Sequence, residues 1–109
     1  MSFEIKTIES FDKQIKRLAK KYPSVKNDFT DFLETLAENP TQGTPLGKDC
    51  YKIRMAISSK NKGKSGGARI ITNVHIVGET IYLLSIYDKS QKSNLDEGEL
   101  DALLLEIID

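Results

Sequence analysis

Between positions 51 and 69 the chain carries six cations and no acid: Lys52, Arg54, Lys60, Lys62, Lys64 and Arg69, with Lys48 a little upstream. Side chains so biased attract anions, and a phosphodiester backbone is the biological anion that presents charge repeatedly along a line. RNA brings its own nucleophile, the 2′-OH. A protein that cuts it has to hold the in-line geometry, stabilise the extra charge of the phosphorane and move two protons. Arginine suits the charge, because its guanidinium meets phosphate oxygens two at a time, and Arg54 and Arg69 are the candidates. Lysines crowded among other cations give up protons more readily. Lys52, Lys64, Lys89 and Lys92 are therefore candidates for proton transfer or for backbone contact. Tyr87 could stack on a base or donate a proton; it is equally an ordinary strand tyrosine. Residues 60–67 are equally a solvated hairpin loop, in which Gly66 and Gly67 allow a tight turn or a close backbone approach.

Other chemistries find little support. Gly63-Lys64-Ser65 resembles the end of a Walker loop, but that pattern needs glycine where Ser58 stands and a helix where a strand follows. His75 is the only histidine and sits in a strand pattern, so neither a metal cluster nor a Ser-His-Asp hydrolase has its base or ligands. Cys50 is the only cysteine; it cannot form an internal disulfide and reads as a small core residue.

The formal net charge is zero, which at first argues against nucleic acid. The distribution reverses that. Residues 1–47 hold seven bases and seven acids, residues 48–92 nine bases and three acids, and residues 93–109 only acids, six of them. Charges further apart than about 10 Å are largely screened at physiological salt, so a basic middle third can attract RNA although the molecule is neutral. At 109 residues the expectation is a single domain over 1–109, with no apolar run of membrane-spanning length and no signal peptide. A cytoplasmic location follows as the default.

The elements that must position these residues are legible in the periodicity. Phe3, Ile5 and Thr7 alternate as a short strand. Ser10 can cap a helix with Phe11, Ile15, Leu18, Ala19 and Tyr22 on one side, and Pro23 ends it. Ser24 can cap a second helix with Val25, Phe29, Phe32, Leu33 and Leu36. The first is basic outside and the second acidic, so an αα-hairpin with mutually attracting outer faces is expected. Residues 41–49 read as loop. Three strands follow, at 50–58, 68–77 and 80–88, the last two joined by a two-residue turn at Gly78-Glu79. Tyr82, Leu84 and Ile86 are expected on one face of the last strand. Ser93 or Asn94 can cap a final acidic helix bearing Leu100, Leu103, Leu104, Ile107 and Ile108. The order β-α-α-β-β-β-α predicts an α+β fold: a four-stranded, antiparallel-rich sheet, the αα-hairpin on one face, and a C-terminal helix.

With these elements in place, the whole chain resembles the RelE/ParE superfamily of toxins, and most of all the RelE- and HigB-type toxins of bacterial type II toxin–antitoxin systems. The resemblance is carried by Tyr51-Lys52-Ile53-Arg54, by Gly63-Lys64-Ser65-Gly66-Gly67-Ala68-Arg69 and by Ile86-Tyr87-Asp88-Lys89-Ser90, with support from Lys16-Arg17-Leu18-Ala19-Lys20 and Leu95-Asp96-Glu97-Gly98-Glu99-Leu100. It implies a microbial-RNase-like fold and ribosome-dependent endonuclease action on mRNA, an mRNA interferase, with no metal or organic cofactor. It implies a cognate antitoxin, with a helix-turn-helix DNA-binding domain, as partner. By position it implies catalytic roles for Arg54, Arg69 and Lys89, and places Lys92 in the same basic cluster after the last strand; the charge bias and residue chemistry make Lys52, Lys60, Lys62, Lys64, Tyr87 and Lys92 the expected RNA contacts. Ala68 stands where active relatives often carry an aromatic, and no aromatic follows Tyr87, so the general base is unassigned. Two other readings stay open: a ParE-like toxin that inhibits DNA gyrase without cutting RNA, and a non-catalytic RNA-binding regulatory module.

Overall fold

A computed structural model of the chain describes residues 3–61, 63 and 66–107. The elements run β1 (Glu4–Thr7), α1 (Glu9–Lys21), α2 (Val25–Glu38), β2 (Thr44–Gly47), β3 (Cys50–Met55), a 3-10 turn (Ser58–Lys60), β4 (Ala68–His75), β5 (Thr80–Asp88) and α3 (Glu99–Leu104). The α+β architecture is the expected one. The sheet has five strands in the order β1-β5-β4-β3-β2, with β1 parallel to β5 and the remaining pairs antiparallel. The added strand, β2, lies in the segment expected as loop. It holds Pro45 and is exposed throughout, and a proline strand that must pair on one side only is found at a sheet edge.

The core forms where the helices' apolar sides meet one face of the sheet. Phe11, Val25, Phe32 and Leu36 are buried together with Ile53, Met55, Ile70, Leu84 and Ile86. Burying side chains of this size stabilises by roughly 1.5–3 kcal/mol each. Phe11 meets Phe29 at 5.7 Å between ring centroids, which joins the two helices through their apolar sides. No ion pair links α1 to α2 among the described residues; Lys13 pairs within α1 with Glu9 at 3.0 Å. No helix among the described residues is long and apolar enough to cross a membrane.

Three local features depart from simple periodicity. The β4–β5 register shifts at Ile71/Thr72, where Ile71 pairs with Ser85 and Thr72 with Leu83, leaving Leu84 as a bulge. Tyr82 therefore sits opposite Asn73 and not on the face of Ile86, which is opposite Ile70. The hairpin is closed by His75 opposite Thr80, so its loop is residues 76–79 rather than two residues, and Ile76 projects into solvent. The helix starts also differ. Helix α1 begins at Glu9, and Ser10 instead donates its backbone N–H to Glu106 Oε1 at 3.2 Å. Helix α3 begins after Gly98, later than either predicted cap. Ser24 does precede α2, but its hydroxyl donates to Asp28 Oδ2 at 2.8 Å.

Candidate functional site

Antiparallel pairing places Arg54 of β3 directly opposite Arg69 of β4, and Arg69 directly opposite Tyr87 of β5. Alternation puts Lys52 on the same face as Arg54, away from the buried Ile53 and Met55. These strand ends border a cleft of about 460 Å³ lined by Lys52, Arg54, Arg69 and Lys89, with Gln42, Gly43, Thr44, Ile53, Ser93 and Asn94. Among the described residues four cations face it and no carboxylate does. A cleft of about 470 Å³ at the opposite end of the sheet, lined by Asp49, His75, Tyr82 and the 76–78 tip, contains no lysine or arginine among the described residues.

Register sets the Arg54 and Arg69 guanidinium groups on neighbouring strands of the cleft. Arg69 is 5 % exposed and donates to the Ala68 carbonyl at 3.1 Å. Burial disfavours its charge, and the neighbouring Arg54 guanidinium does so further; both push its pKa down from the ordinary arginine value. Guanidinium still stays protonated at neutral pH. A titratable group perturbed by burial and a neighbouring charge in a cleft is a functional-site candidate. Burial raises the Tyr87 pKa, against the opposing pull of Arg69, so the phenol keeps its proton and is a donor.

The walls of the cleft are fixed by backbone contacts that only glycine permits. Gly43 has φ +96°, and a Cβ there would lie 2.5 Å from the Lys52 carbonyl oxygen. The 42–44 segment can thus lie flat against β3. Gly67 approaches still closer, since a Cβ would sit 2.2 Å from the Met55 carbonyl oxygen. Its own carbonyl accepts the Lys89 N–H at 3.0 Å, which ties the start of β4 to the segment carrying Lys89. On the remaining side Lys52 Nζ donates to Asn94 Oδ1 at 2.6 Å.

Lys52, Arg54, Arg69 and Lys89 of the sequence-derived site are thus brought together, with Tyr87 beside Arg69. Two others are held elsewhere. Lys60 is turned beneath the sheet, where its ammonium pairs with Asp88 at 2.8 Å and lies 5.4 Å from the centre of the Tyr22 ring. Its side chain is 8 % exposed and that of Asp88 2 %, so the expected RNA contact is replaced by a buried ion pair. Lys92 pairs with Glu99 of α3 at 2.7 Å, stands 5.5 Å from the Tyr87 ring, and lines a separate cleft between α1 and β5. Lys62 and Lys64 lie outside the described residues. The periodicity did not point to Gln42, Thr44, Ser93 and Asn94, the polar rim of the cleft; Gly43 was the one local sign that the 41–49 segment approaches the strand.

His75 and Cys50 are absent from the cleft, as expected of structural residues. The His75 ring packs edge-on against Tyr82 at 5.3 Å. The Cys50 thiol is buried, which raises its pKa, and Asn73 Nδ2 donates to it at 3.4 Å. No group of three or more His, Cys, Asp or Glu side chains suited to a metal occurs among the described residues.

Fold and cleft together define a small α+β protein with a cationic site at the ends of its central strands. The chain belongs to the RelE family: the family model described as "RelE toxin of RelE / RelB toxin-antitoxin system" matches residues 10–106. Among solved structures it is similar to the free E. coli toxin RelE bearing two arginine-to-alanine substitutions, with TM-score 0.66 and 17% identity over 99% of this chain and 100% of that one. The isolated E. coli RelE toxin matches with TM-score 0.60 and 18% identity over 96% and 99% of the two chains. A chain of the intact E. coli RelBE toxin–antitoxin complex matches with TM-score 0.60 and 20% identity over 79% and 95%. At these identities the structures speak for the shared fold.

Proposed function

We propose that this protein is the toxin of a type II toxin–antitoxin pair and acts as a ribosome-dependent mRNA endonuclease that needs no metal. The observation that carries this reading is the pairing of Arg54 with Arg69 across the strands, in a cleft that among the described residues holds two further cations and no acid. Like charges placed directly opposite each other destabilise a sheet, and a bound phosphate relieves that cost. The ribose 2′-oxygen attacks the adjacent phosphorus and the bond to the 5′-oxygen breaks, leaving a 2′,3′-cyclic phosphate and a 5′-hydroxyl. Arg69 and Arg54 stabilise the charge gained by the phosphorane; removing one such donor costs about 10²–10³ in rate in other enzymes. Lys52 and Lys89 hold the flanking backbone or move protons, and Tyr87 supplies a stacking surface or a proton. Lys62 and Lys64 remain RNA contacts on sequence grounds.

The partner that silences such a site is a cognate antitoxin, in keeping with RelE chains observed in complex with RelB or a RelB peptide; a helix-turn-helix domain in that partner rests on the sequence resemblance alone. Induced expression with primer extension on a test message checks the reading. Wild type should cut the message within codons being translated, and Arg69→Ala should leave it whole. Intact mRNA together with blocked DNA supercoiling would favour the gyrase-inhibiting alternative. RNA binding without growth arrest would favour a regulatory module.

A further inference from the structure

Asp88, the last residue of β5, is buried on the side of the sheet away from Tyr87 and outside the cleft. Its carboxylate accepts four hydrogen bonds. Lys60 Nζ at 2.8 Å, the Ser90 N–H at 2.9 Å and the Ser90 hydroxyl at 2.8 Å reach Oδ1, and the Tyr22 hydroxyl reaches Oδ2 at 2.9 Å. Its backbone carbonyl accepts the N–H groups of Gln91 at 3.0 Å and Lys92 at 3.2 Å. A carboxylate that accepts the N–H two residues on closes an Asx turn.

The residue enclosed by that turn is Lys89. Its own N–H is held by the Gly67 carbonyl, so its backbone is fixed from both sides while its side chain stays exposed at the cleft. The second anchor is itself rigid, because Gly67 packs against the Met55 carbonyl too closely to admit any side chain. We propose that Asp88 is a positioning residue: from beneath the sheet its carboxylate shapes the Lys89–Gln91 turn and thereby aims Lys89 into the basic cleft. This rests on the nuclease reading for its consequence, but not for its geometry. An ion pair serving stability alone would need Lys60 and would be indifferent to Ser90; here the same oxygen, Oδ1, serves both.

The test compares Asp88→Asn, which keeps an oxygen for the Ser90 N–H, with Asp88→Ala, which does not. Both lose the ion pair, and both are compared again in a Tyr22→Phe background, which removes the Tyr22 bond, so the remaining difference reads the turn. Both are also made with Lys60→Met, which removes the stranded ammonium and keeps each variant foldable. Two quantities are read: amide exchange at Lys89, and the maximal single-turnover rate on ribosome-bound message together with its half-saturating concentration. The Ala variant should exchange Lys89 at least about ten-fold faster than the Asn variant, and cut at least about ten-fold more slowly, since small misplacements of a reacting group are that costly. Half-saturation should agree within about two-fold, the pattern of a lost transition-state interaction. Equal Lys89 exchange in the two variants overturns the proposal. So do equal maximal rates in an active background. If wild type cuts no message, the nuclease reading falls, and the exchange comparison alone decides whether Asp88 sets the turn.

Discussion

Replacing Arg54 with glutamine should make the free protein more stable and a much poorer nuclease. Arg54 and Arg69 are paired residues of adjacent antiparallel strands, which places their Cβ atoms about 4.5–5.5 Å apart; opposite charges so placed gain about 0.2–1 kcal/mol, and like charges destabilise, here taken to be by an amount of the same order. Arg54 is exposed, so water and salt screen part of that repulsion. A gain of about 0.5 kcal/mol at low ionic strength is the reasonable expectation, equivalent to a rise of roughly 2 °C in Tm for a domain of this size. The same substitution removes a charged donor from the phosphorane and should slow cleavage by about 10²-fold or more. Thermal or urea unfolding at low salt, repeated at high salt, gives the first number; single-turnover cleavage gives the second. The stability gain should shrink at high salt, because its origin is Coulombic. Added inorganic phosphate should stabilise wild type more than the variant. A variant that is less stable than wild type at low salt, or one that cuts as fast, would refute the idea that these arginines are held together for an anion.

Two further outcomes follow from the same geometry. Gly67→Ala must push a methyl group into the Met55 carbonyl, 2.2 Å away, and backbone cannot step aside cheaply. Its cost should be about 1–3 kcal/mol of stability by chemical unfolding, with a loss of cleavage as the start of β4 shifts. The second outcome concerns acid. Burial alone would raise the Asp88 pKa, but the bonds from Lys60, Ser90 and Tyr22 outweigh it and hold the carboxyl well below its usual range. A depressed carboxyl contributes stability in full above its unfolded value, near pH 4, and loses it as pH falls further. The stability gap between wild type and Asp88→Asn should therefore be widest at neutral pH and close on acidification below about pH 4. A gap that is constant with pH would show that the carboxylate's charge contributes nothing.

Much of the fold was legible because its signals are local. The αα-hairpin follows from two apolar stripes with Pro23 between them, and β3 from strict alternation of Ile53 and Met55 with Lys52 and Arg54. What was not legible depends on pairing. β2 has no apolar face of its own and exists because β3 offers it an edge. The bulge at Leu84 reverses the facing of Tyr82, and nothing in an unbroken run of strand-forming residues announces it. The cleft shows the same division. Cations at Lys52, Arg54, Arg69 and Lys89 are visible as a charge bias, and strand parity gathers them. Lys60 belongs to the same bias but leaves the cleft, because a 3-10 turn carries it beneath the sheet to a carboxylate 28 positions away in sequence. Lys92 is likewise held by Glu99, an acid that in the sequence reads as a favourable charge at the start of a helix. Composition identifies which residues carry charge; only the fold determines which of those charges are already neutralised.

If a cleft of convergent cations makes RNA cut itself through its own 2′-OH, the ends of the cut strand record it. The most direct measurement is the chemistry of the cut end on ribosome-bound message, with a chelator present, for wild type and Arg69→Ala. Wild type should leave a 2′,3′-cyclic phosphate on the upstream fragment and a 5′-hydroxyl on the downstream one, and Arg69→Ala should give no fragments. A 5′-phosphate on the downstream fragment, fragments that vanish with the chelator, or undiminished cutting by Arg69→Ala would contradict it.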